Sequence, residues 1–515
     1  LMSGVMTDGV YEDTLRGYDF SRRLACGELE SRLRAITTAI DTRGAGIPVV
    51  VWNMLGWPRT DVASVTVGLS DPGILSVDVV DPEGRKVPVQ TLREVRGRDA
   101  ALLQTELAIL ARDVPALGYS VFHIVPQSVA HATGAAAPDE PVLENELYRL
   151  ECDLHSGALT RLTTKAQATS PEWEVFAAPG NVVAREEDRG DLWELYQNLN
   201  AGLFVAPRTP HPAPRPGQAV LSSEQGGEPG TVLHGPVFSE FQVAHPFGGQ
   251  NEFATRVRLY HGLRRIDVHT RLVNQEQSVR YRVLFPTSIR GGRSVHEIPF
   301  GALERPAGIE LPAQNWVDYA DGVRGLAVLN RGLPGNNVSD GTMLLSLARS
   351  ARIQAYGYGG GYEPGMSSDS GFEVGSELVF DYALVPHAGD WRAAGIYRDG
   401  WEFNHPLVVQ TADSHPGTLP SRWGLLQISP ASVMLSALQS GSNGAALLRV
   451  FETSGNPVSA TIRLAVPVVA AEEVNLLEDP VGTLPLREGA VQIDLRACEI
   501  KTIRLTLAPP APSTS

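Results

Sequence analysis

The chain has little of what builds disulfide frameworks, basic surfaces or membrane spans. Its 515 residues include 3 cysteines, Cys26, Cys152 and Cys498, an odd number set far apart, which makes neither a disulfide framework nor a metal knuckle. Lysine is nearly missing: Lys86, Lys165 and Lys501 stand beside forty arginines, a bias that points to a GC-rich bacterial genome rather than to a binding property. The net charge is −15, and no basic run offsets it locally, so nucleic acid is excluded as a partner. No window approaches ~18 uninterrupted apolar residues. The start, Leu1-Met2-Ser3-Gly4-Val5-Met6, lacks the basic region and apolar stretch of a signal peptide. The expectation is a cytoplasmic chain that does not span a membrane and, beginning with Leu, is a piece of something longer. Walker loops, Gly-x-Gly-x-x-Gly after a strand, Gly-x-Ser-x-Gly elbows and His-Glu-x-x-His are all absent, which removes the enzymes those motifs announce.

What is present leans towards β structure. The length suits roughly three or four domains. With 51 Gly and 37 Pro the chain exceeds the usual combined share of ~12% and favours turns over long helices. Residues 10–40 are the exception: Tyr11, Leu15 and Tyr18, then Leu29, Leu33, Ile36 and Ile40, recur at helical spacing, with Asp8 to open the helix and Gly44 to close it. One amphipathic helix cannot bury its stripe against nothing, so its partners are expected outside this chain.

From Gly46 the period changes to two. We read 1–45 as the remnant of a helical bundle, 46–125 as a small β-sandwich, 126–141 as a linker and 142–406 as a large β super-sandwich. A C-terminal β-sandwich at 407–507 and a disordered tail at 508–515 follow. Within the large domain, Asp153-Leu154-His155-Ser156-Gly157 is a hairpin turn. Residues 255–273 hold Arg256, Arg258, Tyr260, Gly262, Arg264, Ile266 and Val268 on one parity, and the prolines from Pro207 to Pro216 mark a surface excursion. The fold class is mainly β, with one N-terminal helix.

Several groupings could carry chemistry. His261, Asp267 and His269 could share one side of a strand, but Arg264 and Arg265 beside them disfavour a cation, and no metal site is assigned. Glu186, Glu187, Asp188, Asp191 and Glu194 form the densest acidic run, read as a solvated loop rather than as a pair of glycosidic carboxylates. Trp193, Tyr196, Trp316, Tyr319, Trp391 and Trp401, with polar neighbours, are the mixture that sugars prefer, although each taken singly reads as packing. Gly357-Tyr358-Gly359-Gly360-Gly361-Tyr362 is a turn, since neither a following helix nor a Lys completes a phosphate site.

Longer stretches carry a resemblance. Val51-Trp52-Asn53-Met54-Leu55-Gly56-Trp57-Pro58-Arg59 resembles a strand and turn of the glycoside hydrolase family 38 α-mannosidases. Leu143-Glu144-Asn145-Glu146 through Leu159, and then 181–193, are similar to the opening of that family's large β-domain. Pro312 through Gly322, Tyr382 through His387 and Phe403-Asn404-His405-Pro406 follow in the family's order.

The resemblance implies the C-terminal half of such an enzyme, its catalytic barrel lying upstream. In the family that barrel carries a zinc ion held by His and Asp, an aspartate nucleophile and a carboxyl acid/base that together cleave terminal α-mannosidic bonds. No His-x-Asp occurs here, and Asp399-Gly400-Trp401 matches only the tail of the first zinc motif. This chain alone is therefore expected to be inactive and to hold no cofactor, with zinc belonging to the complete enzyme. The resemblance also implies that Asn315, Trp316, Asp318 and, more weakly, Arg349 wall a mannose pocket, Trp316 by stacking and the polar residues by hydrogen bonding. None is expected to be catalytic or a metal ligand. The expected partners are an α-mannoside and a barrel or companion chain, or else a second copy. The rival readings are a stand-alone carbohydrate-binding protein and a mutarotase-like epimerase using His296-Glu297.

Overall fold

The helical spacing of the first forty residues produces a 30-residue helix, α1 (Asp8–Thr37). Acid-before-base pairs one turn apart, Glu12 with Arg16, Asp19 with Arg23 and Glu28 with Arg32, support it, each contributing about 0.3–0.5 kcal/mol. The helix stops short of Gly44 because the backbone beyond it is claimed elsewhere: the N–H of Asp41 donates to the Leu419 carbonyl and that of Thr42 to His415. Most of the apolar side chains on α1 remain uncovered, with Tyr18 67%, Phe20 63% and Leu24 59% exposed, whereas Leu33 is buried.

We obtained a computed structural model that describes residues 8–98, 100–130, 140–166, 171–188, 211–214, 217–249, 251–350 and 374–508. Trp193, Tyr196, Asp191, Glu194, the 357–362 turn, the centre of the 126–141 linker and nearly all of the tail lie outside the described residues. Contacts divide the chain into two units, residues 1–32, 134–297 and 304–404 in one and residues 33–133, 298–303 and 405–515 in the other.

The first unit holds the large β-domain, and six of its strands position the site. They are β1 (Val182–Glu187), β2 (Val279–Pro286), β3 (Trp316–Ala320), β4 (Arg324–Asn330), β5 (Thr342–Ser350) and β6 (Glu377–Ala388). In a six-stranded antiparallel sheet, β2 lies between β1 and β5; in a nine-stranded one, β4 lies between β6 and β3. Alternate side chains from the two sheets meet in one core. Val183, Val283, Phe285, Met343 and Leu345 come from the first sheet, and Val317, Leu326, Val328, Tyr382 and Leu384 from the second. Each such side chain contributes about 1.5–3 kcal/mol by leaving water.

The stretch 255–273 is a hairpin rather than a single parity. Strands Asn251–Tyr260 and Ile266–Val273 pair across a turn containing Gly262 at φ 83°, so Arg256 and Arg258 point outward while Ile266 and Val268 point into the core. A four-stranded sheet precedes them, and its strands Tyr148–Cys152 and Leu159–Thr164 join through the turn at 153–157. There the Asp153 carboxylate accepts the N–H groups of His155 and Ser156 and the Ser156 hydroxyl. Two short helices, α2 (Trp391–Ala394) and α3 (Ile396–Asn404), follow β6.

In the second unit, strands between Ile47 and Gln127 form two sheets around a shared core of Val49, Val65, Val67, Leu107, Ile109, Phe122 and Ile124. Two later strands, Val408–Thr411 and Arg422–Gly424, add themselves to the sheet of Ile47–Asn53 and Gly118–Gln127. Residues 407–424, grouped by sequence with the C-terminal sandwich, thus complete the small one. The reason is pairing, since both strands run antiparallel to strands already in place. Residues 426–507 form a four-stranded and a five-stranded sheet around Leu426, Leu448, Val450, Ile462, Ile493 and Ile503.

Gly157 adopts φ 73°, and a Cβ there would sit 2.3 Å from Thr255 Cγ2. Gly157→Ala should therefore cost about 2–3 kcal/mol, from left-handed backbone strain plus overpacking, read as a lower urea midpoint with an unchanged m-value.

Candidate functional site

The outward face of the six-stranded sheet is charged yet buried. With Val183 and Val283 turned to the core, alternation places Glu186 of β1 and Arg280 and Arg282 of β2 on the opposite face, next to Asp188 just past β1. A bulge opposite Tyr281 and Arg282 shifts the parity of β5, so that both Ser346 and Arg349 reach the same face. Arg282 grips Glu186 through two bonds of 2.6 and 2.7 Å, and Arg349 grips Asp188 through bonds of 2.6 and 3.1 Å. Arg280 donates to Glu310 and to Ser346, whose own hydroxyl donates to Glu310 at 3.0 Å. The side chains of Arg280, Arg282 and Asp188 have 0% exposure.

His211 completes the group. Its carbonyl accepts from Arg282 and Asn337, and its Nδ1 accepts the N–H of Glu310. Burial, reinforced by Arg280, Arg282 and Arg349, pushes the imidazole down to about 4, leaving it neutral at physiological pH. Bidentate geometry in the Arg282–Glu186 and Arg349–Asp188 pairs makes this array rigid. It fixes the sheet end where β1 and β5 both finish, since Glu187 and Ser350 each pair with Val279.

A second polar layer lies on the outward face of the nine-stranded sheet, under α2 and α3. On β3, Val317 and Tyr319 enter the core, so Trp316 and Asp318 turn the other way. The Trp316 ring packs on Trp391 with centroids 5.1 Å apart, and Asp318 lies 2.7 Å from His387 Nε2. Arg264 pairs with Asp399 of α3. Glu297 accepts from Trp401 Nε1 at 2.9 Å and from the Asn315 N–H at 2.8 Å, while burial pushes its carboxyl up to about 7.

Of the four residues expected to wall a sugar pocket, Asn315, Trp316 and Asp318 come together, while Arg349 sits on the other sheet. Trp316 has 0% exposure and Asp318 1%, so neither presents a free face: tertiary packing by Trp391 and His387 has taken them. Asn315 is half-buried, and the Arg349 side chain is 22% exposed. His296 and Glu297 do not form a catalytic pair. As neighbours on one strand they diverge, His296 towards the Pro312 carbonyl and Glu297 towards Trp401. The acidic run is not a solvated loop at its start, because Glu186 and Asp188 are buried partners of arginines. His269 bonds Asp381, and Asp267 bonds Arg265 and Tyr260, while His261 lies in the turn. Among the described residues no group of three or more His, Cys, Asp or Glu could hold a metal ion, so the residues described do not fit zinc.

Sequence reasoning missed Arg280, Arg282, Glu310 and His211. The signal was available in Val279-Arg280-Tyr281-Arg282-Val283, where arginines alternate with core residues on a central strand.

The fold and these two layers define an antiparallel β scaffold whose polar side chains are mostly matched to one another. Residues 143–354 match the glycosyl hydrolases family 38 C-terminal domain and residues 432–503 the family 38 C-terminal beta sandwich domain. The chain is 25% identical over 475 residues to Alpha-mannosidase 2C1 of Homo sapiens, covering 87% of this chain and 41% of that protein. It is also 25% identical over 254 residues to Alpha-mannosidase G of Dictyostelium discoideum, covering 47% of this chain and 22% of that one. An alpha-mannosidase structure from Enterococcus faecalis V583 superposes with a TM-score of 0.78 at 18% identity over 97% of this chain and 61% of that one. The chain belongs to glycosyl hydrolase family 38, of which it carries the C-terminal domains. It spans 41% of the human relative's length.

Two outcomes follow from the geometry. Arg282→Met removes the guanidinium that grips the buried Glu186 and should cost about 3–5 kcal/mol in urea unfolding, whereas the double change with Glu186→Leu should recover most of that loss. The Glu297 carboxyl is raised from its ordinary 4.5 to about 7, so the folded form binds its proton more tightly than the unfolded form does. Its contribution is largest below pH 4.5 and falls as pH rises towards 7. Unfolding free energy measured across that range should decline in the wild type and decline less in Glu297→Gln.

Proposed function

We propose that this chain is the β-rich C-terminal portion of an α-mannosidase, working with a catalytic barrel carried on companion polypeptide to hydrolyse terminal α-mannosidic bonds. The observation that carries the reading is agreement along most of this chain with α-mannosidases of which it spans only part. The zinc of the complete enzyme and the two carboxylates of a retaining mechanism would be supplied by the companion, since the described residues offer no fitting metal cluster.

The role of this chain is to hold and orient. The Arg280–Arg282–Arg349 array keeps a sheet end rigid in a dry environment, where fixed dipoles act most strongly on a bound substrate. Of the four expected residues, Asn315 and Arg349 retain accessible surface and are the two we assign to sugar hydroxyls, each from its own sheet. The uncovered apolar side chains of α1, Val10, Leu15, Tyr18, Phe20 and Leu24, are the surface the companion would cover. Among the described residues no helix is long and apolar enough to cross a membrane.

The test is turnover of an aryl α-mannoside with added zinc. The purified chain should give none, and activity should appear on co-expression with the polypeptide encoded immediately upstream. Turnover by the chain alone would overturn the reading. Tight mannose binding by the chain without any companion would favour a stand-alone carbohydrate-binding protein instead.

A further inference from the structure

Away from the arginine array, a cleft of about 330 Å³ opens between the four-stranded sheet, the end of β6 and helix α2. Its wall is rich in donors. Arg264 commits Nε and Nη2 to Asp399, and its Nη1 has no acceptor among the described residues. Lys165 Nζ donates to the Asn145 carbonyl and to Glu144 and keeps a third N–H. The Thr164 hydroxyl accepts the Trp173 backbone N–H, while its own proton has no acceptor among the described residues, and neither does the indole N–H of Trp173.

The acceptors nearby are already engaged. The Tyr148 hydroxyl lies 3.0 Å from the carbonyls of both Arg264 and Pro386, and Asp318 is turned to His387. The remaining lining is His387, whose Nε2 faces Asp318, together with the apolar Leu147, Pro386, Ala388, Ala393 and Ala394. A cleft of this size takes a ligand of roughly monosaccharide dimensions. Surplus donors select oxygen acceptors carrying negative charge, and the alanine–proline side accommodates the C–H face of a ring.

We propose that this cleft binds a monosaccharide bearing an oxyanion, a phosphate or a carboxylate. The choice of mannose as the probe sugar rests on the α-mannosidase reading; because binding is measured on this chain without a companion, a negative result leaves that reading standing.

Calorimetric titration of the full chain would use mannose 6-phosphate, mannuronate, mannose and inorganic phosphate. One of the two charged sugars should saturate with a dissociation constant near or below about 1 mM, and mannose and inorganic phosphate should each bind at least about tenfold more weakly. Ala393→Glu, at an exposed position of α2, and Lys165→Gln should each weaken the charged sugar by about tenfold or more while the melting temperature stays near wild type. Three results would overturn the proposal: inorganic phosphate or mannose binding as tightly as the charged sugars, unchanged affinity in Ala393→Glu, or no saturation by either charged sugar up to about 20 mM.

Discussion

Two arginines without exposed surface, Arg280 and Arg282, set the terms for the large β-domain. A guanidinium cannot shed its charge at any physiological pH, so burying one demands a carboxylate close by. Placing two on alternate positions of β2 obliges the neighbouring elements to deliver acids at matching heights, and Glu186 on β1 and Glu310 do so. A slip of one residue between β1 and β2 would turn Glu186 into the hydrophobic core and away from Arg282. Charge pairing on the outer face therefore fixes the same register that apolar packing fixes on the inner face, and the two constraints must agree residue by residue.

That double constraint explains what was legible in the sequence. Patterns that depend on one strand at a time came through: the helix of residues 8–37, the change to period two, and the hairpin at Asp153–Gly157, where Asp153 and a left-handed Gly157 write the turn locally. Features that depend on two distant strands did not. The strands at 408–411 and 422–424 look like the start of the last sandwich until they pair with residues near 50 and 120. Arg256 to Val268 keeps one parity on paper, and only the turn through Gly262 reverses it.

The candidate site follows the same division. Asn315, Trp316 and Asp318 form a run in the sequence, and a run at the start of one strand does stay together, but whether a face is open depends on elements far along the chain. Trp391 and His387, more than 65 residues away by sequence number, occupy the faces of Trp316 and Asp318. Gly400 permits this, since a Cβ there would stand 2.5 Å from Trp316 Cδ1. Arg349 belongs with Asp188, a residue the sequence presents as part of an acidic loop. A single charged residue is legible as charged; its being matched is a property of the sheet.

The outward faces of the two large sheets thus carry different kinds of polar order, and the difference bears on function. Under α2 and α3, indoles, a carboxyl held protonated towards neutrality and an Asp–His pair are enclosed by packing, an arrangement that resists water and tolerates little movement. On the six-stranded sheet, three arginines and three acids are matched at the point where β1 and β5 end. An enclosed layer serves best as support, whereas a matched charge array at a sheet end can hold its geometry while presenting the partly exposed edge of Arg349 to whatever is placed against it. Of the two, the arginine array is the one tied to strand register, and the layer under α2 and α3 is the one closed by helix packing.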